Sequence, residues 1–201
     1  MRDASPASPE GDKRGNLKRT LIILAALVPL AVFFGMLAWG VGWSENRIGR
    51  PGINTSFGDA SLDPEPAPLF EGVTLDGDSL SLASLKGQVV VLDFWSSWCP
   101  PCRNEAPGLA EVYAEYRDEG VEFLGMALWD TEENVRDFVE ELDVPYPNLL
   151  DDRGSIAIDY GVVKIPEKFF IDREGNLVRV FSGPTDPDDM REALDIILEG
   201  P

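Results

Sequence analysis

VVLDFWSSWCPPCRNEAP, residues Val90 to Pro107, changes character halfway along. Its first half belongs to the apolar, β-branched run Gln88 to Trp95, bounded by Gly87, which predicts a fully buried parallel strand. Its second half opens a helix over Cys102 to Glu119, with Leu109, Val112, Tyr113 and Tyr116 at i, i+3, i+4 and i+7. Pro100 and Pro101 fall in the first turn, where a missing N–H costs no helical bond, and they stiffen the loop. At the joint stand both cysteines of the chain, Cys99 and Cys102.

Elements of the same two kinds follow. Val121 to Trp129 reads as a strand, and Thr131 to Leu142 as a helix with Val135, Phe138, Val139 and Leu142 on one face. A short helical stretch covers Ser155 to Tyr160. Lys168 to Asp172 and Leu177 to Phe181 are strands joined by the turn REGN, and a last helix starts at Asp186-Pro187 and stops at Gly200. Alternating strand and helix, closing strand-turn-strand-helix, predicts an α/β domain with a mixed sheet.

The cysteines are judged by elimination. A bridge between Cys99 and Cys102 closes too small a loop to stabilise the fold much. Structural zinc wants four Cys or His ligands, and the chain has two cysteines and no histidine, which leaves only a metal shared between two chains. A haem anchor needs His directly after the second cysteine, where Arg103 stands. The lack of histidine also removes Ser-His and Cys-His catalysis. Redox chemistry remains, and the position suits it: open α/β sheets put their sites at the carboxyl ends of strands. A thiol at a helix N-terminus faces free N–H groups and the positive end of the dipole, which favour thiolate. Cys99 is therefore the expected exposed nucleophile, and Cys102, one turn further in, the resolving thiol.

Leu21 to Trp43 holds no charged side chain over 23 residues, about 34 Å as a helix, and ends on Trp39 and Trp43 as interfacial anchors. It is too long for a cleaved signal h-region, so residues 20–43 read as a retained transmembrane anchor. Five basic residues precede the run and two follow it closely, which places residues 1–19 in the cytoplasm and everything after Ser44 outside. Residues 44–66, rich in Gly, Pro, Ser and Asp, read as a flexible linker carrying a weak glycosylation sequon at Asn54, and residues 67–201 as one folded domain. The first 43 residues carry a net charge of +2 and the remaining 158 a net charge of −21, which excludes nucleic acid as a partner.

VVLDFWSSWCPPCRNEAP resembles the active-site segment of thioredoxins. LASLKGQVVVLDFW before it and DYGVVKIPEKFFIDREGNLV after it (Asp159 to Val178) narrow the resemblance to the membrane-tethered reductases of cytochrome c maturation, the CcmG/DsbE, ResA and TlpA-like group. The likeness runs from about Pro68 to Leu198. It implies a thioredoxin-like fold, a mixed central sheet flanked by helices, with an N-terminal extension and an inserted helix, preceded by the single transmembrane helix. It implies a redox-active Cys99–Cys102 disulfide, a cis-proline at Pro166, and backbone groups at Ile165 open to an extended substrate peptide, with Trp98, Pro100 and Pro101 also facing substrate. Glu105 matches an acidic residue that tunes the thiols; its spacing puts it on the face of Cys102, and the ordinary alternative is a solvated helix charge. Asp93, inside the apolar strand and six residues before Cys99, resembles the buried carboxylate of classical thioredoxins, a general acid or base for the inner thiol. Trp95 is expected in the core, Trp98 as a shield over the thiols, and Pro107 as a structural helix proline. Lys168 departs from the family's Thr beside the proline loop, and an effect on substrate choice is expected there.

The resemblance further implies a bacterial extracytoplasmic protein-disulfide reductase that needs neither cofactor nor metal. Its substrate would be the CxxCH disulfide of apocytochrome c, and its electron donor a membrane thiol transporter of the DsbD/CcdA kind. A reductase for copper-centre assembly uses the same chemistry and stays open. A thiol peroxidase would want Thr-x-x-Cys, where this chain has Ser96, and a non-catalytic module would have lost a cysteine.

Overall fold

The computed structural model describes residues 52–200, together with residues 23, 25, 27–30 and 32–36, which are helical. The chain divides into two units, 1–48 and 49–201. The expected cytoplasmic tail and most of the expected membrane span lie outside the described residues; among the described residues no helix is long and apolar enough to cross a membrane.

The second unit is built on a six-stranded sheet in the order β1-β8-β7-β4-β5-β6. Its strands are β1 (Gly58–Pro66), β4 (Val89–Trp95), β5 (Val121–Leu128), β6 (Asn148–Asp151), β7 (Glu167–Ile171) and β8 (Asn176–Ser182). A separate hairpin pairs β2 (Glu71–Val73) with β3 (Ser79–Ser81). β4 is buried at every position because it lies between β5, parallel, and β7, antiparallel. That arrangement explains the unbroken apolar run with which the sequence announces it.

Among the described residues of this unit four α-helices complete the fold: α1 (Pro100–Tyr116), α2 (Glu132–Glu141), α3 (Ser155–Asp159) and α4 (Pro187–Glu199). α1 buries Leu109, Val112, Tyr113 and Tyr116, the face its periodicity predicted, and carries Pro107 inside it. It meets α4 where Gly108 faces the Pro187 ring, a spot at which a β-carbon would come within 2.7 Å of that ring. α2 lies between β5 and β6, where the resemblance implies an inserted helix. Its Phe138 stacks on Trp95 at 4.0 Å between ring centroids, which puts Trp95 in the core as expected. Side chains alternate across a strand, so Phe94 turns to the opposite side and packs against Tyr160 and Phe169. The mixed sheet with its helices is the thioredoxin-like arrangement that the sequence predicts.

Besides the β2–β3 hairpin, for which no element was expected, two stretches differ from expectation. The expected flexible linker 44–66 ends in β1, an edge strand laddered to β8 from Gly58 to Pro66 with a register shift between Ser61 and Glu65. Almost all of it is exposed, so its backbone pairing leaves no apolar period to read. Pro64 and Pro66 are tolerated because the strand is an edge. β6 carries no sequence signal either: at four residues it is short, and a tight contact secures it. Gly125 of β5 leaves room for the Asn148 amide, which accepts from Trp95 Nε1 at 3.2 Å.

Candidate active site

The carboxyl end of β4 delivers the chain into the loop Ser96 to Cys99. Ser96 Oγ donates to the Leu128 carbonyl, the Ser97 amide donates to Asp130 Oδ2 at 2.7 Å, and Trp98 Nε1 donates to the Trp129 carbonyl at 3.0 Å. These bonds tie the loop after β4 to the loop after β5. Cys99 is the N-cap of α1, and the Cys102 amide donates to its Sγ at 3.3 Å. A sulfur held there receives an N–H at the positive end of a helix, the setting that stabilises a thiolate.

Cys99 and Cys102 are joined as a disulfide, with Cα atoms 5.3 Å apart. Cys99 was expected to be exposed, but it is 0% accessible, and Cys102 is 2% accessible. The Cys99 sulfur is engaged by its bond to Cys102 and by the Cys102 amide. Exposure at the helix mouth falls instead to Pro100 and the half-exposed Trp98, with Pro101 intermediate.

Beneath the disulfide lies a buried charge cluster. Asp93 of β4 stands opposite Lys168 of β7 in the sheet register, and Glu105 lies one helical turn beyond Cys102. Lys168 Nζ bonds Glu105 Oε1 and lies 3.7 Å from Asp93 Oδ1. Glu105 Oε2 accepts from the Thr185 amide at 2.8 Å, while Asp93 Oδ1 has no hydrogen-bond partner. Burial pushes Glu105 up to about 7, with Asp93 adding to the rise and Lys168 and Thr185 opposing it. Burial likewise raises Asp93, against the pull of the Lys168 ammonium and the neighbouring Tyr146 hydroxyl. Two carboxyl groups facing one ammonium out of water cannot both stay ionised cheaply, so one of them can take up a proton while Lys168 balances the other.

One alternative falls and one expectation changes here. Glu105 is not a solvated helix charge. Lys168 does not reach substrate: it is 0% accessible and spent on the carboxylates, because successive β7 side chains alternate and this one points toward α1. Tyr146 and Thr185 carry no signal in the sequence that marks them for the site. A lysine inside the apolar run KFFI was the available clue, since a buried Asp needs a cation nearby.

The third component is the edge before β7. The Ile165–Pro166 bond is cis, and the pairing of Phe94 with Glu167 sets Pro166 at the carboxyl end of β4, from which the cysteine loop departs. The Ile165 backbone was expected to be open, yet it is already engaged. Its amide donates to the Gly52 carbonyl at 2.9 Å, and its carbonyl accepts from the Asn54 amide at 2.6 Å. Ile53 thereby forms a parallel bridge with Ile165.

Comparison with known proteins places this geometry. The AhpC/TSA family profile matches residues 64–180. A thiol-disulfide oxidoreductase ResA of Bacillus thuringiensis subsp. konkukian is 34% identical over 128 residues, covering 64% of this chain and 74% of that protein. The ResA of Halalkalibacterium halodurans is 28% identical over 186 residues, covering 92% of this chain and 97% of that protein. Among solved structures, a thioredoxin-family thiol:disulfide interchange protein from Chlorobium tepidum TLS superposes with a TM-score of 0.63 at 33% identity, covering 69% of this chain and 99% of that one. With a profile match over more than half its length and a ResA relative covered to about three-quarters, the chain belongs to the AhpC/TSA family and is a thioredoxin-fold thiol-disulfide oxidoreductase.

Proposed function

We propose that the chain is an extracytoplasmic protein-disulfide reductase that reduces the CxxCH disulfide of apocytochrome c before haem attachment. Electrons would come from a membrane thiol transporter of the DsbD/CcdA kind. The apolar run 20–43 anchors it in a bacterial cytoplasmic membrane, with residues 1–19 inside and the redox domain outside. The uncharged run supports the anchor.

In the reduced state the Cys99 thiolate attacks one sulfur of the substrate disulfide, forming a mixed disulfide and expelling the other substrate sulfur as a thiolate. Cys102 then gives up its proton and attacks Cys99 Sγ, which releases the second substrate thiolate. The substrate gains two electrons and the chain ends as the Cys99–Cys102 disulfide, to be reduced again by the transporter. One carboxyl of the Asp93–Glu105 pair takes the Cys102 proton, and Lys168 holds the pair's other charge. A single observation carries this reading: a helix-capping sulfur hydrogen-bonded by its partner's amide, at the strand end beside the Ile165–Pro166 edge.

Capture of partners by the Cys102→Ser chain in whole cells tests it, because the mixed disulfide on Cys99 can no longer be resolved. Apocytochromes c are the expected catch. Copper chaperones or oxidase subunits alone would move the assignment to copper-centre assembly, and no disulfide-linked protein at all would overturn it.

A further inference from the structure

The segment on the Ile165 edge makes the contacts an extended peptide would make there. Gly52 and Asn54 take both backbone hydrogen bonds of Ile165, and Ile53 between them is 8% accessible. The Asn54 side-chain amide donates to the Pro166 carbonyl at 3.1 Å and to the Lys164 carbonyl at 3.4 Å. Gly52, at φ 87°, lies flat against Trp129, whose ring would be 3.5 Å from a β-carbon on that residue. Trp129 in turn holds Trp98, so the segment runs along the rim of the cysteine loop. This is strand addition by the chain to itself.

We propose that Gly52–Asn54 is an internal occupant of the peptide edge, and that a protein disulfide reaches Cys99 by displacing it. The proposal rests on the reading that protein substrates dock at Ile165 and Pro166. The occupant is held more weakly than the strand next to it in the chain. β1 is laddered to β8 along its length, and the Ser56 carbonyl is seated against Gly183. Thr55 and Ser56, which join the occupant to β1, are not buried, and the segment hangs on two backbone bonds, one amide side chain and one apolar residue. Such an end opens before the rest of the domain. The occupant also describes the partner that fits: an extended strand running parallel to the Ile165 backbone, aliphatic at the position of Ile53 and able to hydrogen-bond at the position after it. The closed arrangement is the one in which Cys99 has no accessible surface.

The test uses the full-length chain in detergent micelles, as wild type and as Ile53→Ser and Asn54→Ala. Reduction of insulin disulfides and hydrogen exchange at the Ile165 amide are measured, with thermal unfolding as a check that each variant folds. Both variants should reduce insulin roughly three- to tenfold faster than wild type, the factor expected for losing one modest contact, and should expose the Ile165 amide to faster exchange. A synthetic peptide of residues 49–57 should slow the Ile53→Ser chain and restore protection. Insulin rates in folded variants equal to or below wild type would overturn the proposal, because the segment would then be a fixed wall of the cleft. A Cys99→Ser chain as active as wild type would instead overturn the exchange reading on which the proposal rests.

Discussion

The two sides of the Cys99–Cys102 disulfide share almost no chemistry. Outward lie Trp98, Pro100, the Ile165–Pro166 edge and the Gly52–Asn54 segment, a surface dominated by rings and backbone hydrogen bonds. Inward lie Asp93, Glu105 and Lys168, fully charged in water but here buried and balanced against one another. The outward side can recognise a peptide because backbone groups read any sequence. The inward side can manage protons because burial has made its carboxyl groups reluctant to ionise. One helical turn of α1 separates the two tasks.

The largest effect comes from the sulfur between the two sides. Cys99→Ser should abolish insulin reduction while leaving the fold intact, whereas Cys102→Ser should still attack and then stall as a mixed disulfide visible on non-reducing gels. Equal loss in both without trapping would remove the distinction between attacking and resolving thiol.

Next comes the cation of the inward side. Lys168→Met leaves two buried carboxyl groups without their partner, and breaking such a cluster costs about 3–5 kcal/mol. Urea unfolding at pH 8 should show this loss. It should shrink on acidification, as the carboxyl groups take up protons, and in part when Glu105→Gln is added. A Lys168→Met chain as stable as wild type at pH 8 would mean that the cluster is not charged as described.

The inward side also sets a pH dependence. Glu105 is raised from 4.5 to about 7, so the folded state binds its proton more tightly than the unfolded state does. Its contribution is therefore fully present below about pH 4.5 and lost as pH rises through about 7. The linkage amounts to as much as about 3 kcal/mol, and the rise at Asp93 has the same sign. Urea midpoints between pH 5 and pH 8 should fall less in Glu105→Gln than in wild type. An identical fall in both would place the titration elsewhere.

The smallest effect lies outward. Trp98 is half-exposed, so Trp98→Ala should change stability by under about 1 kcal/mol. It should raise KM for a protein disulfide about threefold, with no change for a small disulfide, as for a rim contact of under about 1 kcal/mol. A matching change for both substrates would make Trp98 a support for the loop rather than part of the docking surface.

Legibility in the sequence divides along the same line. β4, α1 and α2 were readable because their apolar residues recur at the periods of a buried strand and of amphipathic helices. The cysteine pair was readable because the absence of histidine and of a third cysteine leaves few chemistries open. Glu105 and Asp93 could be named because the resemblance to thioredoxins marks acidic residues at those spacings from the cysteines. Their joint dependence on Lys168 could not, since 63 residues separate Lys168 from Glu105 and only the β4–β7 register brings the three together. β1 and the Gly52–Asn54 segment were invisible for another reason: backbone hydrogen bonds hold them, and the backbone leaves no mark on side-chain pattern.

Residue order alone thus determined a redox pair at a strand-to-helix joint, because local periodicity and composition suffice for that. Tertiary structure decided that Cys99 is covered, that Lys168 serves the interior rather than the substrate, and that the peptide edge already has an occupant. Each of these depends on segments far apart in the chain meeting through register and burial, which no short window of sequence contains.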